Sequence, residues 1–217
     1  MKTFLTILWA PREQFKRLAS HPAWKFVFFT VVIGNVLLTW LKSCLRGSSF
    51  VIDLSVIAGS FISISLIFFF LWSVISLYLY FFSILLNAEK GLPYRVLFSL
   101  VSHCGLIFLV GECVNFILLR AGFLKSTSLM LPNRFPVGLD LLLIGKSPSL
   151  STAALFHTIN PFTIWYFVIL AMGLSSLGRI SQRSAGLVAG SLWVIGVAIA
   201  LSVISGIGGT SIGIHAG

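Results

Sequence analysis

The chain has 217 residues, of which 58% are hydrophobic and 9% are charged, whereas soluble domains carry about a quarter charged residues. A domain of this size cannot bury that many apolar side chains, which excludes a water-soluble single domain and a disordered chain and indicates a polytopic membrane protein. The net charge is +10, and its cations lie between the apolar segments. Cations in such positions are typical of the loops of membrane proteins, where they set the topology and meet anionic lipid headgroups. We therefore do not expect nucleic acid as a partner.

Residues 1–25 form a leader that mixes basic and apolar side chains. Pro11 suits the first turn of a helix and Pro22 ends it, which predicts a short amphipathic helix on the membrane surface, near anionic lipid headgroups. The alternative is a solvated leader without lipid contact. A charged stretch follows Pro11 and no A-x-A site is present, so we interpret the leader as retained, at the cytoplasmic face or interface.

Five apolar segments are long enough to cross a bilayer, which predicts an all-α bundle of five transmembrane helices. We interpret residues 50–60 as an interfacial lead-in to the second span. Residues 26–204 form a single membrane domain, and the Gly-rich residues 205–217 are expected to be a flexible tail. The predicted spans are residues 24–41, 61–86, 96–119, 153–177 and 185–204.

The connection at residues 120–152 contains three prolines and an apolar core at 137–144 that is too short to span. We expect a partly ordered loop with a short helix at the interface. Nine Lys and Arg residues fall on the face of the amino terminus and six on the other. The positive-inside rule therefore predicts a cytoplasmic amino terminus, an external carboxyl terminus and an external 120–152 loop.

The third span carries polar residues at bilayer depth, where charge is costly. At 100° per residue, Glu112 and Asn115 share one stripe of the helix, and His103 lies roughly opposite Glu112. One interpretation makes Glu112 a proton or ion group that faces a cavity. The interpretation we favour makes it a carboxyl that holds helices together, with Asn35 or His157 as a candidate partner.

The sequence has no pattern typical of a metal site or of catalysis. No two histidines are spaced i, i+3 or i+4, and CxxC and HExxH are absent. The GxSxG at residues 209–213 lies in the Gly-rich tail, which is not the strand-to-helix turn of a nucleophile elbow. The GKS at residues 145–147 is not a P-loop, because Asp140 stands where the first glycine belongs. We therefore expect no metal, no cofactor and no enzymatic activity. In the fifth span, Gly186 and Gly190 form a GxxxG that favours helix packing, within the monomer or between copies.

Three stretches, taken in order, carry a family resemblance: residues 11–24, residues 87–95 and residues 159–165. With the five-span layout they resemble the bacterial branch of the Yip (Ypt/Rab-interacting protein) membrane-domain family over about residues 5–205. This chain has a single glycine where family members often have two, and His103 lies where they often have proline. The residues that carry the resemblance are Pro11, Pro22, Trp24, Gly91, Asn160, Pro161, Phe162 and Trp165.

The resemblance implies an all-helical, five-span fold with a cytoplasmic amino terminus, here in a bacterial cytoplasmic (inner) membrane. Eukaryotic relatives bind prenylated Rab GTPases. This chain does not have their long acidic and polar region, so that partnership does not carry over. The family supplies no catalytic residue and, for its bacterial members, no activity to transfer.

We expect a membrane-organising or protein-interaction role, with membrane lipids and a membrane-protein partner or a second copy of the chain as partners. The contact surfaces would be residues 12–24, 87–95 and 160–165, although each stretch can equally be an ordinary helix end. The alternative is a small transporter or channel subunit. It would use the polar stripe through Glu112 and the chain interruption at Pro161.

Overall fold

The computed structural model describes residues 5–8, 10–45, 54–86, 91–121, 138–143, 149–178 and 180–210. These residues form seven α-helices and two short 3₁₀ turns, Leu5–Leu8 and Leu139–Leu143, and they contain no β-strand. The predicted all-α class is confirmed. The helices are α1 (Pro11–Ser20), α2 (Trp24–Leu45), α3 (Leu54–Leu86), α4 (Tyr94–Arg120), α5 (Leu150–Thr158), α6 (Pro161–Gly178) and α7 (Gln182–Thr210).

Five of these helices, α2, α3, α4, α6 and α7, are long and apolar enough to cross a membrane. Successive spans run in opposite directions, so the bundle has two ends. At the α1 end, α2, α4 and α7 begin and α3 and α6 finish. At the α5 end, α2, α4 and α7 finish and α3 and α6 begin.

Helix α4 lies at the centre of the bundle and packs against α1, α2, α3 and α6. Every residue from 96 to 107 is buried, whereas Asn115 is the one buried residue in the rest of this fully described helix. Helix α7 packs on the outer side of α6 and makes few contacts with α3. The bundle is therefore densely packed around the first half of α4 and more open around the second half.

Two predicted span boundaries differ from the observed helices. Residues 54–60 belong to α3 itself and are not a separate lead-in, because Gly59 lies within the helix and nothing breaks it; residues 50–53 lie outside the described part. At 33 residues, α3 is about 50 Å long, more than a bilayer core of about 30 Å requires. The predicted span at 153–177 is divided, because Asn160 and Pro161 start a new helix.

Helix α1 is amphipathic as predicted, but its apolar face packs on protein and not on lipid. Phe15 and Leu18 are each 1% exposed, and α1 contacts α6 and α4. Gly173 of α6 makes this approach feasible, because a Cβ there would lie 3.0 Å from the Phe15 ring and would collide with Leu100. The leader is thus part of the bundle through its apolar face, and the position of α1 at the membrane surface stays a prediction.

The 3₁₀ turn Leu139–Leu143 falls inside the 120–152 connection, where the sequence predicts a short helix. Residues 122–137 and 144–148 of that connection lie outside the described part, and so do residues 87–90. Of the predicted flexible tail, residues 205–210 continue α7 as helix, and residues 211–217 are not described.

Candidate functional site

A cavity of about 460 Å³ lies between α3, α4, α6 and α7, toward the α5 end. Most of its wall is apolar. Helix α4 contributes Glu112 and Asn115, the two polar residues that the sequence places on one stripe. The polar side chains toward the α5 end of the cavity are Glu112, Asn115, His157, Thr158, Asn160 and Thr163. The second half of α4 therefore turns its polar stripe into an open space.

Glu112 forms an ion pair with Lys42, which lies in the last turn of α2 and donates a hydrogen bond to the carboxylate. The side chains are 31% and 14% exposed, so the pair is largely withdrawn from the surface. A cation in the last turn of a helix also interacts favourably with the helix dipole. The pair links α2 to α4 and balances the charge beside the cavity.

The two partners that the sequence suggests for Glu112 bond elsewhere. The Asn35 amide donates to the Val31 carbonyl oxygen at 2.8 Å, one turn back in the same helix. His157 lines the same cavity but donates from Nδ1 to Asp140 at 2.7 Å. Lys42 was missed because a pair separated by 70 residues leaves no periodic signal in the sequence.

The pair of Asp140 and His157 is a second polar contact that the sequence does not reveal. Both side chains are mostly buried. Asp140 also accepts a hydrogen bond from the Gly138 backbone N–H at 2.8 Å, and the Leu139 N–H donates to the Ile159 carbonyl at 3.0 Å. These bonds hold the 3₁₀ turn against the junction of α5 and α6, beside the polar end of the cavity.

His103 does not join this site. It is 1% exposed, and its Nδ1 donates to the Ser99 carbonyl at 2.7 Å. Ser102 likewise donates to the Phe98 carbonyl at 2.7 Å. In the packed half of α4, His103 and Ser102 therefore bond to the backbone of their own helix, and His103 is structural.

The Asn-Pro-Phe of the third family stretch builds the junction of α5 and α6. Asn160 donates to the His157 carbonyl at 2.8 Å and accepts the Thr163 N–H at 2.9 Å, which caps α6. Pro161 occupies the first helical position, where its missing N–H costs nothing. Phe162 packs over Gly111, where a Cβ would lie 3.0 Å from the ring. Trp165 packs against the core one turn further on.

The other family residues lie at the opposite end of the bundle. Pro11 begins α1, and Pro22 lies in the short link between α1 and α2. Trp24 contacts Phe98 edge to face, with ring centroids 5.1 Å apart. Gly91 precedes α4, beside the end of α3. The structure therefore does not bring the family residues together into one site; it places them at helix ends on both sides.

Gly186 and Gly190 do not pack against another helix within the described residues. A Cβ on either glycine would meet no atom within 4 Å, and both line an open groove beside α6. Helix α7 packs through its buried neighbours Ala185, Val188 and Ala189 instead. Packing of this GxxxG within the monomer is wrong for the described part, and contact between copies stays a prediction.

The α1 end carries a set of exposed cations on four different helices. They lie at the end of the bundle where helix α1 docks, and the exposed acid of α1 is Glu13. At the α5 end, Arg120 is the exposed cation among the described side chains, since Lys42 is paired. The exposed cations of the α1 end, called here the basic face, are Arg12, Arg17, Lys25, Arg95 and Arg183.

Among the described residues, no group of three His, Cys, Asp or Glu side chains could hold a metal ion. Comparison with curated proteins and with solved structures returns no match. The family model of the Yip1 domain matches residues 5–204, nearly the whole chain. With five apolar helices of spanning length, this is an integral membrane protein, and the chain belongs to the Yip1 domain family.

Proposed function

We propose that this protein has a membrane-organising or protein-interaction role that it performs through its surfaces, without catalysing a reaction. The observation that carries the proposal is the basic face. Cations from α1, α2, α4 and α7 are exposed together at one end of the bundle. Such a face is complementary to anionic lipid headgroups, and each Lys or Arg near an anionic surface contributes about 1 kcal/mol.

The docking of α1 supports this role, because it fixes where Arg12 and Arg17 point. A free leader would lose conformational entropy on contact with headgroups or with a partner. Here Phe15 and Leu18 already anchor the helix to the bundle. The cations of α1 are therefore held at the same end of the bundle as Lys25 and Arg183 before any contact is made, which lowers the cost of binding.

Lipid enrichment around the two ends tests the proposal. A donor dye would be placed on Ser20→Cys or Ala121→Cys, after alanine replaces Cys44, Cys104 and Cys113, and fluorescent phosphatidylglycerol would be the acceptor in vesicles. Energy transfer should be stronger from residue 20. It should fall several-fold when Arg12 and Arg17 become Gln, and it should not fall with the control Arg120→Gln. Equal transfer from both ends would contradict the proposal.

We place the basic face on the cytoplasmic side of a bacterial inner membrane, by the positive-inside rule. A membrane-impermeant thiol reagent tests this orientation in intact cells with the same two single-cysteine variants. The reagent should label residue 121 and not residue 20. The reverse pattern would place the basic face outside.

A second candidate function is a small transporter or channel subunit, and the cavity beside Glu112 is the observation that favours it. Polar residues that line a cavity at bilayer depth often belong to solute pathways. In proteoliposomes this candidate predicts pH-dependent flux that Glu112→Gln abolishes. Absence of flux in the wild-type protein, or flux unchanged by the substitution, would remove it.

A further inference from the structure

The cavity opens sideways, toward the lipid, between α3 and α7. Leu71 and Val74 on α3 are 47% and 48% exposed, and Ile195 and Ile199 on α7 are 44% and 59% exposed, although all four line the cavity. Apolar side chains at such an opening meet the hydrocarbon of the bilayer. A molecule that reaches this cavity through the opening must therefore come from the membrane.

The opening is closed on one side by a hydrogen bond. The Tyr78 hydroxyl of α3 lies 2.7 Å from the Ser191 hydroxyl of α7. The rim residues of α3 precede Tyr78 and those of α7 follow Ser191, so they lie on the α5 side of this bond. The entrance to the cavity therefore lies between α3 and α7 with this bond at its edge.

The inner end of the cavity can accept hydrogen bonds. An ionised carboxylate is acceptor-only and has about four lone-pair sites, and the described contact with Lys42 involves one oxygen of Glu112. Asn115 lies one turn further along α4 and also lines the cavity. A ligand that reaches this end should therefore carry a hydrogen-bond donor such as a hydroxyl.

The charged side chains near the cavity restrict the class of ligand further. None of the described residues that line the cavity is a lysine or an arginine, the side chains that most often pair with phosphate groups in proteins. The charge of Glu112 is already offset by Lys42, and His157 is bonded to Asp140. A phosphate headgroup would have no cationic side chain to pair with in this cavity. An ammonium headgroup would meet the Glu112 carboxylate, which is already paired with Lys42. An uncharged headgroup meets neither problem.

We propose that this cavity binds a neutral, hydroxyl-bearing lipid, with its acyl chain between α3 and α7 and its hydroxyl group against Glu112. The volume of about 460 Å³ lies within the usual range of ligand sites, about 300–1,000 Å³. This site requires neither the basic face nor any flux across the membrane. It lies on α3, α4, α6 and α7, away from the cations of the α1 end.

Photolabelling in lipid nanodiscs tests the proposal, with a monoacylglycerol that carries a diazirine on its acyl chain. Mass spectrometry should locate the label on α3 near Leu71 and on α7 near Ile195. Excess unlabelled monoacylglycerol should reduce the labelling at these positions several-fold, whereas equal phosphatidylglycerol should not. Equal competition by phosphatidylglycerol, or label spread evenly over all lipid-facing helices, would overturn the proposal.

Gly196 offers a variant that fills the cavity without crowding the fold. It lines the cavity, and a Cβ there would meet no atom within 4 Å. Gly59 of α3 has the same open surroundings and does not line the cavity, so Gly59→Phe is the matched control. Gly196→Phe should lose most of the competable labelling and Gly59→Phe should keep it. Equal labelling of the two variants would overturn the proposal.

The headgroup requirement is tested on the wild-type protein, with the fatty acid methyl ester of the same acyl chain as competitor. The ester keeps the chain and lacks hydroxyl donors. A hydrogen bond contributes about 0.5–1.5 kcal/mol net, so the ester should compete about 2- to 10-fold less well than the monoacylglycerol. Equal competition would show that the cavity accepts any apolar chain and would overturn the hydroxyl assignment.

Discussion

Polar side chains have different surroundings and different partners in the two halves of α4. In the first half every residue from 96 to 107 is buried, and His103 and Ser102 bond to carbonyls of their own helix. In the second half, Glu112 and Asn115 line a cavity, and Glu112 reaches across to Lys42. The packing around Ser102, His103 and Glu112 therefore decides whether the partner lies in the same helix or in a neighbouring one.

The two ends of the bundle also present different kinds of surface. Where the packing is dense, at the α1 end, the surface presents charge, since α1 covers the apolar helices and exposes Arg12 and Arg17. Where the packing is open, the apolar interior connects with the bilayer between α3 and α7. The proposed contact with headgroups and the proposed lipid site therefore lie in different halves of one bundle.

The largest effect is expected from a cavity made in the packed half. Leu100→Ala removes a fully buried side chain that packs at Gly173, next to Phe15. The loss of packing and the space left behind should reduce the free energy of unfolding by about 2–5 kcal/mol. Reversible unfolding in mixed micelles measures it, with Leu187→Ala, at 75% exposed, as the control. Similar losses for both variants would show that the packed half is not a core.

A larger side chain should also affect stability differently in the packed and the open half of the bundle, by almost as much. A Cβ on Gly105 would collide with the Trp72 indole, whereas a Cβ on Gly196 would meet open space. Gly105→Leu should therefore destabilise the protein by about 3 kcal/mol. Gly196→Leu should be neutral or stabilising, because glycine is a poor helix former. Thermal unfolding of the two variants checks this, and equal destabilisation would contradict the difference between the halves.

The ion pair should have a smaller effect. Lys42→Met leaves Glu112 without its cation in a largely buried position, which should cost about 2 kcal/mol, between the values of surface and fully buried pairs. Adding Glu112→Gln to Lys42→Met should recover most of that loss, because the uncompensated charge is gone. A double-mutant cycle on unfolding free energies measures the coupling; additive single effects would mean that the pair contributes nothing.

The smallest effect is expected at the hydrogen bond that closes the cavity entrance. Tyr78→Phe removes the hydroxyl that meets Ser191 and should reduce the free energy of unfolding by about 1 kcal/mol. It should also widen the separation of α3 and α7, which electron paramagnetic resonance between labels on the two helices can measure. Tyr80→Phe, at an exposed tyrosine of the same helix, is the control. No change in separation would show that the bond does not hold the helices together.

Hydropathy and family motifs predict much of this fold, because they depend on neighbouring residues. The five spans, the amphipathic α1 and the stripe through Glu112 and Asn115 all follow from local periodicity. Long-range contacts do not leave such a signal. Neither the docking of Phe15 against Gly173 nor the pairing of Lys42 with Glu112 can be read from spacing along the chain.

Hydropathy also fails to locate the boundary between two consecutive apolar helices. Residues 153–177 read as one span because most of the stretch is apolar, yet Asn160 caps a new helix and Pro161 begins it. The sequence contains this signal, since Asn followed by Pro is a common helix start. A prediction that follows hydropathy alone nevertheless joins the two helices into one span. The junction matters for the site, because His157 and Asn160 both line the cavity.

A side-chain-resolution structure in lipid nanodiscs, with a bound antibody fragment to enlarge the particle, tests the difference between the two halves most directly. We expect α1 packed on α4 and α6, and elongated density that enters between α3 and α7 beyond Tyr78 and ends at Glu112. Helix α1 separated from the bundle, or α3 closed against α7 with no space beside Glu112, would contradict it.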